Sequence, residues 1–264
     1  MRRNRGGYTI IEVMIVLAIS GVLFTSAIVV FQGQQGKTVM SQSLYDLASR
    51  IQSYATEISS GVYNDSGSYT CSAAPGGSPV LSTGGSSNAG CLFLGKAFQI
   101  IQNGSTLYAY TVLGNRVDSS GESITQFDNA TPEPALDSSG NWVLVDQYTL
   151  PSGMQFTSSK VKNLSSGALT DAYMVGLYID LSGATSVGGT TSLSARGYNL
   201  SSNAATQSSA VKSCIEQKGS CSSASSVQVR TWQLCLSQGS QIGSINIDTS
   251  ASGVTTRVNS AECV

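Results

Sequence analysis

MRRNRGG (residues 1–7) followed by YTIIEVMIVLAISGVLFTSAIVVF (residues 8–31) is the stretch that organises this chain. A short basic leader ends in Gly6-Gly7, and an apolar run then extends from Tyr8 to Phe31, broken by one carboxylate, Glu12. The 19 residues from Val13 to Phe31 carry no charge; Ser20, Gly21, Thr25 and Ser26 are their only small polar or glycine interruptions. As a helix rising about 1.5 Å per residue, such a run is long enough to cross a hydrocarbon layer of roughly 30 Å. Glu12 is the anomaly. A carboxylate drawn towards the middle of a bilayer costs about 2–3 kcal/mol, and a plain anchor helix would carry leucine there.

Arg5-Gly6-Gly7-Tyr8-Thr9-Ile10-Ile11-Glu12-Val13 resembles the processing site of type IV prepilins and type II secretion pseudopilins. The resemblance covers Arg5 to Phe31 specifically and the rest of the chain weakly. It implies that a membrane peptidase cuts after Gly7, that the new N-terminus at Tyr8 is methylated, and that the apolar helix packs into a filament core, with Glu12 serving assembly. Two departures stand out. The first mature residue of the family is usually Phe and here is Tyr8; the proline common in the middle of its helix is absent, Val29 standing about there.

The 264 residues suffice for one span and one good-sized domain. Charged residues make up only 11% while Gly, Ser, Thr and Asn abound, which suits a turn-rich exported β domain. The chain has no histidine, which excludes Ser-His-Asp and Cys-His catalysis and removes the commonest metal ligand; no enzyme activity and no cofactor are expected. Loss of the three leader arginines takes the net charge from −1 to −4, with no basic stripe for a nucleic-acid backbone. Those arginines flank the apolar run on its N-terminal side and only Lys37 sits close on the other, so the leader is expected in the cytoplasm and the body outside.

Six cysteines in an exported domain read as three disulfides. Sequence alone leaves their connectivity open; short loops favour Cys71 with Cys91, Cys214 with Cys221, and Cys235 with Cys263. The spacings Cys71-x19-Cys91 and Cys214-x6-Cys221 lack the close CxxC pairs of zinc sites, and no metal is expected.

After the glycine-containing stretch Gln32–Gly36, a soft spot for a helix, an apolar stripe resumes at Met40, Leu44, Leu47, Ile51, Tyr54 and Ile58. One helix is expected from Tyr8 to Ser60, all-round apolar over 8–31 and amphipathic over 32–60, where it lies against a domain spanning 61–264. Within that domain, Gly61–Gly90 reads as loop. Strands are expected at Cys91–Ile101, Leu107–Leu113, Trp142–Leu150, Ala172–Leu181, Val227–Leu236, Gln241–Ile247 and Val254–Val258, with a short one around Ser192–Leu200 inside a loop-like Gly183–Ala210. Asn103-Gly104 marks a hairpin and Leu150-Pro151-Ser152-Gly153 a tight turn; the strand-then-LPSG arrangement also resembles pilin globular domains.

Several patterns are decoys. Gly90-Cys91-Leu92-Phe93-Leu94-Gly95-Lys96 matches part of a phosphate-binding loop, but Ala97 replaces the hydroxyl residue that would hold Mg²⁺. Five Asn-x-Ser/Thr triplets, at Asn64, Asn103, Asn129, Asn163 and Asn199, arise readily by chance in such a composition. Asp65, Asp128, Asp137 and Asp171 lack the alternating spacing of a calcium loop. Tyr63, Tyr69, Tyr148 and Tyr198 serve equally well as surface or core residues.

The expected architecture is α+β, a long N-terminal helix packed on an antiparallel sheet domain. The expected role is that of a structural subunit of a type IV pilus-like filament, its size suiting a minor subunit. It would be made as a single-pass membrane prepilin, with a prepilin peptidase/methylase and other pilin subunits as partners. The alternatives are a pseudopilin of a type II secretion or DNA-uptake system and a monomeric membrane-anchored adhesin.

Overall fold

Helix α1 runs over Ile10–Ser60 in a computed structural model that describes residues 9–61, 69–75, 77–83, 91–181, 192–221, 227–250, 253–259 and 263; of residues 27–35 and 220 it describes the backbone alone. Thr9, in extended conformation, caps the start, and Gly61 ends the helix with φ +69°, a left-handed turn that glycine adopts without steric penalty. The helical backbone passes through Gln32–Gly36 without a break. Among the described residues no helix is long and apolar enough to cross a membrane; the side chains described in the apolar part of α1 end at Ser26.

Among the described residues thirteen strands follow: β1 (Tyr69–Ser72), β2 (Val80–Thr83), β3 (Cys91–Ile100), β4 (Thr106–Asn115), β5 (Glu133–Pro134), β6 (Val145–Thr149), β7 (Gln155–Asn163), β8 (Leu169–Asp171), β9 (Met174–Ile179), β10 (Leu193–Tyr198), β11 (Val227–Gln238), β12 (Gln241–Ser250) and β13 (Gly253–Asn259). A short helix, α2 (Ser209–Ile215), lies between β10 and β11. The main sheet runs β13-β12-β11-β10-β9-β3-β4-β5, every neighbouring pair antiparallel. β6 pairs with the first half of β4 and β5 with its second half. β11 is long enough that one of its edges takes both β10, at Val227–Val229, and β7, from Val229 to Ser237. β8 then extends β7.

The α+β class agrees with the sequence expectation, and α1 lays its expected stripe on the sheet. Met40, Leu44, Leu47, Ile51, Tyr54 and Ile58 are all buried. The stripe crosses β12 and β13 and reaches β3 and β9. Close approach is possible because β12 has a glycine beneath the helix. A Cβ on Gly243 would lie 2.6 Å from Leu44 Cδ1 and 3.0 Å from Met40 Cε. The opposite face of the sheet is covered too. Lys96 and Phe98 face α1; Tyr178, one residue beyond Leu177, the partner of Lys96, points the other way. There its ring packs 4.3 Å from that of Phe127 and its hydroxyl accepts from Tyr198 at 2.9 Å. Burial on both faces explains why β3 reads as an apolar run without alternation.

The structure departs from the sequence reading in three places. Gly61–Gly90 contains a two-stranded ribbon, β1 with β2, where Leu81 is buried and its N–H donates to the Leu136 carbonyl at 3.0 Å. β7 was not expected at all. A bulge at Thr157 breaks its alternation, so its buried residues fall at Phe156, Ser159 and Val161. Residues 209–215 form α2, capped by Ser208, whose Oγ accepts from Val211 N–H at 3.4 Å. The short strand expected around Ser192–Leu200 is present as Leu193–Tyr198; residues 182–191 lie outside the described residues.

Candidate functional site

The N-terminal turns of α1 present the largest chemical anomaly of the molecule. Eleven large apolar side chains between Ile10 and Phe24 are exposed, from 47% at Val13 to 82% at Ile10, and they point to all sides of the helix. Soluble surfaces do not carry a contiguous apolar patch of this kind without a partner or a lipid environment. The polar residues inside it satisfy themselves: Thr25 Oγ1 donates to the Val22 carbonyl at 3.0 Å and Ser26 Oγ to that of Leu23 at 2.8 Å.

The start of this surface is a capped helix end. The Glu12 N–H donates to Thr9 Oγ1 at 3.3 Å and to the Thr9 carbonyl at 3.1 Å. Glu12 is exposed in the first turn, where the helix dipole favours a carboxylate. Thr9 is the cap of α1, which the sequence signals by the T-x-x-E spacing of Thr9 and Glu12, the sequence form of a capping box.

The other half of α1 is held on the sheet by charge as well as by apolar packing. Lys96 on β3 is only 2% exposed, and its Nζ lies 2.5 Å from Asp146 Oδ2 on β6 and 3.3 Å from Glu57 Oε1 on α1. The Tyr54 ring covers that ammonium at 4.9 Å. One turn earlier, Arg50 donates from Nε to Tyr54 Oη at 3.3 Å, which raises the Arg50 pKa further above its usual value. Tyr148 on β6 donates to Asp46 Oδ2 at 2.5 Å; burial first, and that bond second, push its phenol well up. From Tyr54 an aromatic chain runs inward to Phe98 at 5.5 Å and on to Trp232 at 5.7 Å.

Of the residues singled out in the sequence, Gly7 and Tyr8 lie outside the described residues, and Glu12 stands as above. Cys71 pairs with Cys91, Cys214 with Cys221 and Cys235 with Cys263, the same three bridges that short loops favoured. Lys96 of the phosphate-loop look-alike is buried in β3. Gly95 beside it serves a bulge: at φ +144° its Cβ would lie 2.1 Å from the Leu177 carbonyl oxygen. Asp128 pairs with Arg196 at 2.7 Å, Asp137 accepts N–H bonds within its own loop, Asp171 belongs to β8, and Asp65 lies outside the described residues. Among the described residues no group of three His, Cys, Asp or Glu gathers to hold a metal. Tyr198 is a core residue, Tyr148 belongs to the helix seat, Tyr69 is half-buried in β1, and Tyr63 lies outside the described residues.

No curated protein and no solved structure matches the chain. One family model does, that of the prokaryotic N-terminal methylation motif, over residues 2–28. A motif of this kind implies processing by a prepilin peptidase and assembly with other pilin subunits. Residues 2–28 are thus the prepilin-type cleavage and methylation segment, which supports a type IV pilin-like or pseudopilin precursor.

Proposed function

We propose that the protein is a structural subunit of a type IV pilus-like filament. It is made as a single-pass prepilin with its leader in the cytoplasm and residues 61–264 outside. A prepilin peptidase cuts after Gly7 and the new N-terminus, Tyr8, is methylated. The apolar turns then leave the bilayer for a filament core of neighbouring helices. Its work is mechanical, with no catalysis and no cofactor.

The observation that carries this reading is the exposed all-round apolar surface from Ile10 to Phe24, which lies within the methylation motif and is continuous with a helix seated on the sheet. That surface needs lipid before assembly and other helices after it. The Glu12 carboxylate is exposed in the first turn of this apolar surface, where a charge-neutralising partner would relieve its cost. Cleavage creates an α-amino group at Tyr8 in the same apolar layer, and pairing it with Glu12 of a neighbouring subunit relieves two costly charges together. At about 4 Å and an effective dielectric near 20 such a pair is worth about 4 kcal/mol before desolvation.

The test is twofold. Mass spectrometry of assembled material should give an N-terminal peptide that begins at methylated Tyr8. Glu12→Val should yield a processed, membrane-held protein that enters filaments poorly. Wild-type levels of assembly by that variant would refute the role of Glu12, and a leader still present on assembled subunits would refute the cleavage. A pseudopilin would carry the same motif; immunogold labelling of surface filaments, against a periplasmic location, separates the two.

A further inference from the structure

The buried cluster around Lys96 goes beyond what a filament subunit requires. A lysine is almost never fully buried unless paired, and here a single ammonium meets not one but two carboxylates, Asp146 Oδ2 at 2.5 Å and Glu57 Oε1 at 3.3 Å, under the Tyr54 ring. A single carboxylate would neutralise the charge. The three groups come from three elements, β3, β6 and α1, so their meeting is fixed by the fold. The exposures are also unequal: the Lys96 side chain is 3% exposed and that of Glu57 13%, whereas that of Asp146 is 42% exposed.

We propose that Lys96 and Asp146 condense into an intramolecular amide, with Glu57 as the proton carrier. The balance closes without any co-reactant. The Lys96 ammonium gives one proton to the Asp146 carboxylate it touches, leaving a neutral amine and a neutral acid. The Nζ lone pair attacks Cγ of Asp146, forming the C–N bond. Glu57 takes a proton from the nitrogen and returns it to the departing oxygen, so the C–O bond breaks and one water leaves. Glu57 ends as the carboxylate it began as.

In dilute water the ionised pair wins over the amide. Holding the two groups in contact makes the step intramolecular, and for well-oriented groups effective molarities reach about 10⁵–10⁸ M, which speeds the condensation. The exposed side of Asp146 gives the released water its exit. The product would tie β3 covalently to β6 across the intervening β4, beside the seat of α1. The inference stands or falls independently of the filament reading.

The experiment uses the full chain, purified from membranes in detergent, reduced, alkylated and digested with trypsin. Unmodified protein is cut after Lys96 and gives separate peptides 51–96, 97–116 and 117–160. A linked Lys96 resists cleavage, so residues 51–116 should appear joined to 117–160, lighter by one water, and fragment ions should place the bond between Lys96 and Asp146. Asp146→Asn should form the same bond with loss of ammonia, and Glu57→Gln should give the separate peptides, with the Cys71–Cys91 bridge of a correctly folded variant still present in a parallel digest without reduction. Free peptides 51–96 and 117–160 from the wild type would overturn the proposal. A fully linked Glu57→Gln variant would overturn the role given to Glu57.

Discussion

Replacing Leu47 by alanine tests whether α1 is part of the core or merely lies on it. Leu47 is fully buried at the centre of the stripe, between Leu44 and Ile51, which are equally buried. Truncation at such a site removes the transfer energy of the lost carbons and leaves a cavity; buried Leu→Ala changes cost about 2–5 kcal/mol, so about 3 kcal/mol is expected. That is roughly a hundredfold in the folding equilibrium, and a fall in Tm of about 6–12 °C for a domain of this size. Tyr45, two residues away and 62% exposed, is the control, where alanine should stay within about 0.5 kcal/mol. Trp232 provides the signal. It is buried and connected through Phe98 to Tyr54 on α1, so detachment of the helix alters its surroundings. Urea unfolding of the full chain in mild detergent, followed by tryptophan emission, is the assay. Equal midpoints for Leu47→Ala and Tyr45→Ala would refute the claim that α1 is a core element.

Thr9→Ala should remove the cap of α1 and cost its first turn about 1 kcal/mol, read as faster amide exchange at Glu12 and Val13. Gly95→Ala combines a disfavoured φ with a Cβ only 2.1 Å from a backbone oxygen and should destabilise by about 2–6 kcal/mol, whereas Gly140→Ala, at φ +80° in open space, should cost only about 1–2 kcal/mol; equal melting of the two would contradict the close approach. The Asp137 carboxyl is held below its ordinary pKa, first by the Asn141 side-chain amide at 3.0 Å and then by the Asn141 backbone N–H at 2.8 Å. Its folded pKa is the lower one, so its stabilisation is complete above the unfolded aspartate value of about 4 and disappears as pH falls through the folded value; the difference between wild type and Asp137→Ala should shrink across that window. Removing the Cys71–Cys91 bridge, with a separation of 20 residues, should cost about 3 kcal/mol in the chain-entropy view, measurable as a lower urea midpoint.

Much of this architecture is legible in the sequence because its signals are local. The stripe from Met40 to Ile58 is a 3.6-residue period, and Asn103-Gly104 lies in the connection that turns β3 back onto β4, although that connection is five residues long and only Asn103 takes a left-handed φ, +60°. What could not be read depends on distant partners. β7 carries Ser159 where an apolar residue is expected, and that serine is in the core because its Oγ accepts from Trp232 Nε1 at 2.8 Å, 73 residues away. Asp46, Arg50 and Glu57 look like a solvated helix face when only α1 is considered. They prove to be the face that meets Tyr148 and Lys96, and nothing within α1 announces those neighbours. Thr9 illustrates the opposite error: its signal was local and was overshadowed by Glu12.

The two halves of α1 face different surroundings, and their continuity has a consequence for the proposed filament. The described turns from Ile10 to Ser26 are exposed on every side, whereas from Met40 onward one face is locked by apolar burial, a buried lysine and a phenol-to-carboxylate bond. A continuous helical backbone transmits orientation from the locked half towards the exposed one. The direction in which Glu12 and the apolar turns leave the domain is then set by contacts at Lys96, Tyr54 and Tyr148, far from any contact between subunits. Loosening that seat should disturb assembly even with the whole apolar surface and Glu12 intact. The defect of a Tyr148→Phe variant, which loses only the bond to Asp46, should therefore appear as filaments of altered pitch or stiffness rather than as a failure of cleavage or membrane insertion.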